Sequence, residues 1–170
     1  AKLRLPSWLD GLVPFLLVIP IGLMWPQLLG GGNAVILNLA AVTPALLALL
    51  GIFVLRFTFS TISYGSGLPG GIFLPILSLG AILGAIYAQF MVAVGWMPTN
   101  LIPNFIIFAM AGYFAGIGKA PFTAILLITE MVGTLHHLMP LAVVSMTAYL
   151  VVDLLGGAPI YEALLEKLIQ

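Results

Sequence analysis

The stretch Gly65-Ser66-Gly67-Leu68-Pro69-Gly70-Gly71-Ile72-Phe73-Leu74-Pro75 has no ionisable side chain, yet its residue types can do chemistry through the main chain. Pro69, Gly70 and Gly71 are expected to end one element in a tight turn. Ile72 and Phe73 then open a helix with Pro75 in its first turn, where the missing N–H would have had no intrahelical partner. The remaining first-turn amides are donors without acceptors. An anion satisfies them, the helix dipole favours it, and glycine permits close approach because no Cβ intrudes. A site without lysine or arginine holds its ion weakly enough to let it go, which conduction requires. The same stretch also suits an ordinary turn between apolar helices, with glycine serving packing. Helix N-termini accept anions in general, so this chemistry does not choose among them.

The elements that must position this turn are set by composition. The 170 residues are 62% hydrophobic and only 6% charged, and the formal net charge is zero. A soluble domain carries roughly 25% charged residues, so this chain is expected to use the bilayer as its solvent. Lys2, Arg4 and Asp10 stand at one end and Glu162, Glu166 and Lys167 at the other; Arg56 is the lone charge between Asp10 and Lys119. Apolar stretches of about 20 residues cross a bilayer as helices. The expected class is therefore an all-α, integral, multi-pass membrane protein, without a basic patch for nucleic acid. With no cysteine, disulfides, thiol catalysis and Cys-ligated metals are excluded. The opening residues lack the apolar run of a secretory signal and read as the interior of a longer protein.

Glycine, proline and asparagine punctuate the apolar runs. A first helix is expected over Ser7 to Leu29, with Ser7 as N-cap, and a break at Leu29 to Asn33. Ala34 to about Thr61 follows, split at Pro44. The next helix runs from Ile72 to about Trp96 and carries Gly80 and Gly84 four apart, a spacing that lets helices approach closely. A short apolar segment, Phe105 to Ile117, ends at Gly118 to Pro121. Helices are then expected over Pro121 to Val132, Pro140 to Leu155 and Ile160 to Gln170, the last being the most water-facing. Several are too short for a 30 Å span at 1.5 Å per residue. Short, interrupted membrane helices point to a binding site at mid-membrane depth.

Other chemistry is weaker. His136 and His137 are adjacent, so they do not share a helix face, and no H-E-x-x-H pattern accompanies them. A boundary loop accounts for them. Glu130 is the lone mid-chain carboxylate and is expected to meet water or the neighbourhood of Lys119, in a structural role. Asp153 reads as interfacial, and Arg56 as a side chain that snorkels to headgroups. An intramembrane enzyme would need a Ser–His, Asp–Asp or metal cluster, and a cation transporter several acids; neither pattern occurs. A purely structural membrane module would leave the Pro-Gly-Gly break unexplained.

The segment Ser66 to Pro75 resembles the G-G-x-F-x-P signature of the CLC family of chloride channels and proton-coupled chloride transporters. Gly30 to Asn33 is similar to that family's glycine-rich loop in its second half. Ala115 to Met131 resembles its A-x-x-x-(R/K)-A-P-x-T-x-x-x-x-x-x-E-M segment, and Gly156 to Tyr161 its G-G-x-P-x-Y pattern. The resemblance covers essentially the whole chain, and four ordered motifs make it specific. The resemblance implies that the amides of Ile72 and Phe73 and the hydroxyl of Tyr161 bind chloride, the substrate, with no cofactor. Without it, Tyr161 reads as an interfacial aromatic anchor. The serine and gating glutamate that the family places in its N-terminal half have no counterpart here, and Ser66 is not a substitute. Residues 1–170 thus resemble a single domain, the C-terminal half of a CLC-type membrane domain. The implied fold is a multi-span bundle with short, broken and re-entrant helices, one half of an inverted-repeat transporter. The implied partners are the N-terminal half, the lipid bilayer of the cell membrane and a second copy in a homodimer. Lys119 to Val132 and Leu138 to Leu155 resemble the helices of that dimer face. The alternative is a fluoride-selective relative, against which Tyr161 argues, since that branch tends to lack it. Valine at Gly71 is expected to crowd the turn.

Overall fold

The computed structural model describes residues 12–26, 33–42, 44–65 and 71–169. Over those residues the chain forms eight α-helices and a short 3₁₀ turn. They are α1 (Leu12–Met24), α2 (Asn33–Ala41), α3 (Leu46–Gly65), α4 (Phe73–Ala93), the 3₁₀ turn Thr99–Leu101, α5 (Ile102–Gly118), α6 (Pro121–Val132), α7 (Leu138–Leu154) and α8 (Ile160–Ile169). The expected capping role of Ser7 lies outside the described residues.

Most boundaries follow from local chemistry. The long apolar stretch after residue 33 breaks at Pro44 as expected, and the amide of Gln89 on α4 donates to the Pro44 carbonyl, so an acceptor freed by the break is satisfied. Glycines 95, 133 and 156 take left-handed φ of 80°, 72° and 70° just past α4, α6 and α7. After α4 the amide of Trp96 reaches back to the Met91 carbonyl at 3.0 Å, closing a Schellman turn. Lys119 holds a left-handed φ of 49° after α5, and Pro121 opens α6 at a position that tolerates proline.

Helices α4 and α5 form the centre. Together with its preceding turn, α5 covers 20 residues, and α4 covers 21; both are long and apolar enough to cross a membrane. The segment expected from Phe105 is therefore longer than its composition suggested, because the 3₁₀ turn and Ile102-Pro103 extend it upstream. The other expectation holds: α6, with 12 residues, spans only about 18 Å. A Cβ on Gly84 would stand 2.8 Å from the Phe105 carbonyl and 2.9 Å from Ile106 Cα, and one on Gly80 2.9 Å from Met110 Cα. The two backbones touch there, as the glycine spacing predicts. Leu77, Ala81, Ile82 and Ala85 of α4 and Ile106, Ala111, Phe114 and Ala115 of α5 form the buried core. Helices α6 and α7 close it through Ala124, Ile128 and Leu141, and α2 and α3 through Val35, Ile36, Leu39 and Leu49.

Candidate functional site: the amino end of α4

Helix α4 begins where the sequence places it. Ile72 is its N-cap and no side chain caps the helix. The first intrahelical bond runs from the Ile76 amide to the Ile72 carbonyl at 3.2 Å. Phe73, Leu74 and Pro75 precede it. Pro75 has no N–H, so the helix ladder uses none of the amides before Ile76. Nothing among the described residues lies within 4 Å of a Cβ built on Gly71. The crowding expected from valine there is not found among the described residues. Of the remaining turn, Ser66, Pro69 and Gly70 lie outside the described residues.

Tyr161 stands in the first turn of α8 and is 47% exposed. A continuous set of contacts connects it to α4. The Phe73 ring meets Phe114 edge-on at 5.2 Å. Gly118, at the end of α5, has Phe114 on one side and Tyr161 on the other, each 3.8 Å from where its Cβ would be. Ile72, Phe73 and Ile160 all pack against the same core. The structure thus gathers Ile72, Phe73 and Tyr161 at one end of the bundle, although 88 residues of chain separate Phe73 from Tyr161.

Three residues of this region escaped sequence reasoning. Arg56 does not snorkel. It is 2% exposed, and its Nε donates to Ser78 Oγ at 3.1 Å. Ser78 in turn donates to the Pro75 carbonyl at 2.9 Å. Snorkelling fails because α3 folds back along α4 as an antiparallel pair and turns Arg56 inward. The Tyr64 hydroxyl, two turns further along α3, donates to the Gly71 carbonyl at 3.3 Å and lies within electrostatic range of both Arg56 and Tyr161. The available signal was Arg56 itself, an ionisable residue inside an apolar run, which by default marks a functional region.

The remaining candidates sit elsewhere. Lys119 Nζ pairs with Asp153 Oδ1 at 2.8 Å and joins the end of α5 to α7; it does not serve Glu130. Glu130 is exposed near the end of α6, beside a cleft bordered by Thr129, Thr134 and Leu138. His137 packs edge-on against Phe108 at 5.8 Å. Among the described residues no group of three metal-ligating side chains comes together.

Comparison with known proteins bears on this geometry. The sequence profile of the family described as voltage gated chloride channel matches residues 1–153. The H(+)/Cl(-) exchange transporter ClcA of Vibrio cholerae is 40% identical over 147 residues, 85% of this chain and 31% of its own length. Its namesake in Klebsiella pneumoniae is 35% identical over 149 residues, again 31% of its length. The crystal structure of a slow cyanobacterial Cl-/H+ antiporter superposes with a TM-score of 0.83 at 31% identity, covering 96% of this chain and 39% of that one. The chain spans about a third of the length of the curated relatives it matches.

Proposed function

The chain belongs to the voltage gated chloride channel family, and we propose that it supplies the C-terminal half of a membrane domain that exchanges chloride for protons. The relatives' names support the substrate and the coupling, since they are H(+)/Cl(-) exchange transporters. One observation carries the reading: α4 opens on Gly71-Ile72-Phe73 with no side-chain cap and, among the described residues, with nothing against the Cβ position of Gly71. Neutral donors in that arrangement suit an anion that must bind and leave. Tyr161 adds a hydroxyl on a rigid ring, a single neutral donor. The chemistry is transport and needs no catalytic group from this chain.

In the completed domain, the preceding half supplies the rest of the ion path, and the site forms between the two halves. A second copy pairs with the first through α6 and α7, whose exposed Phe122, Leu126, Val143 and Leu150 offer an apolar face. The test is ion movement from liposomes holding the complete protein, with chloride and pH followed together. Chloride movement that drives protons against their gradient is the expected result. Chloride flux without protons would make it a channel, and flux of fluoride or potassium in place of chloride would overturn the reading.

A further inference from the structure

Amides can bind an ion only if something holds them aimed at it. Gly71 brings no side chain to pack, nothing among the described residues lies within 4 Å of its Cβ position, and no side chain caps the helix. Two residues of α3 reach this end of α4, Tyr64 directly and Arg56 through Ser78 of α4 itself. The Tyr64 hydroxyl holds the Gly71 carbonyl at 3.3 Å. In a trans peptide the carbonyl and the following N–H point to opposite sides of one rigid plane. Fixing the Gly71 oxygen therefore fixes the direction of the Ile72 N–H. One turn deeper, Ser78 Oγ holds the Pro75 carbonyl at 2.9 Å and itself receives the buried Arg56 Nε at 3.1 Å. That bond fixes the first turn of α4, and with it the Phe73 amide.

We propose that Tyr64 and the Arg56–Ser78 pair are positioning residues that aim the Ile72 and Phe73 amides at chloride. The inference rests on the chloride reading above. Neither link touches the ion; Tyr64 acts through the Gly71 carbonyl, on the far side of the peptide that carries the Ile72 N–H, and the Arg56–Ser78 pair acts through the Pro75 carbonyl in the first turn of α4. The two are spaced along an antiparallel helix pair, so they resist both a swing of the turn and a rotation of the first helical turn. The guanidinium also brings a positive charge beside the second turn of α4.

The experiment compares chloride affinity, chloride-to-nitrate selectivity and chloride-free unfolding temperature in the complete protein. The variants are Tyr64→Phe, Ser78→Ala, Ser78→Thr and Tyr161→Ala. Removing one net hydrogen bond is expected to weaken chloride binding about 3-fold in Tyr64→Phe and in Ser78→Ala. Selectivity should fall with affinity in both, while the chloride-free unfolding temperature stays put in Tyr64→Phe, a split that a purely structural role does not produce; Ser78→Ala also takes an acceptor from the buried Arg56 and is expected to melt lower. Ser78→Thr keeps a hydroxyl and should restore binding. Wild-type affinity and selectivity in both Tyr64→Phe and Ser78→Ala, with Tyr161→Ala weakened, would overturn the inference and leave the chloride site standing. A wild-type protein that binds no chloride would overturn both. If Ser78→Ala fails to fold, Tyr64→Phe alone decides.

Discussion

Helix α4 is held in two opposite ways along its length. In its middle, Gly80 and Gly84 bring the α5 backbone to within contact of its own, and the interface is made by leaving side chains out. At its amino end, Tyr64 and Ser78 hold carbonyls by hydrogen bonds and Arg56 holds the Ser78 hydroxyl, while among the described residues nothing packs against the Cβ position of Gly71. The difference teaches how a membrane helix can be rigid and still present free donors. Apolar contact fixes where the helix lies but cannot aim a peptide plane. Polar links aim the plane but leave space for an ion.

The comparison breaks first in the middle. Gly84→Val puts a side chain against the backbone of Phe105 and Ile106, which no rotamer relieves. A loss of about 3 kcal/mol or more is expected, seen as aggregation or a lowered unfolding temperature in detergent. Wild-type stability would mean that α4 and α5 can part without harm.

A smaller effect is expected at the carboxyl end of the bundle. Tyr161→Ala should weaken chloride binding by about 10-fold, the lower end for one hydroxyl donor to a charged partner. Isothermal titration with chloride checks it, and unchanged affinity would remove Tyr161 from the site. Smaller again, Ser145 on α7 is fully buried and its hydroxyl has no partner among the described residues. Ser145→Ala should be neutral or stabilise by about 1 kcal/mol, because it removes an unpaired polar group; a marked loss of stability would reveal a partner for Ser145. The least effect belongs to the Lys119–Asp153 pair, whose carboxylate side is 52% exposed. Asp153→Asn should cost below about 1 kcal/mol and lose that little in high salt. Thermal melts at two salt concentrations would show it.

The elements were legible from the linear chain wherever a local rule sets them. Pro121 and Gly133 bound α6 where the sequence placed it, and Pro44 splits α2 from α3. Left-handed glycines and first-turn prolines act within a few residues, so they can be read without knowing the fold. Ile72 and Phe73 were readable as a helix start for the same reason. The glycine pair on α4 announced a close neighbour, though not which helix it would be.

Partnership was decided in three dimensions. Arg56 looked like a headgroup anchor because a side chain in a list of residues has no direction. Only the antiparallel folding of α3 along α4 turns it inward onto Ser78. Tyr161 is joined to Phe73 through Phe114 and Gly118, contacts that depend on how α5 and α8 converge. Helical periodicity and turn chemistry are local and survive in one dimension. Which face meets which, and which peptide is held by which hydroxyl, depends on packing between distant segments, and only the folded chain sets that.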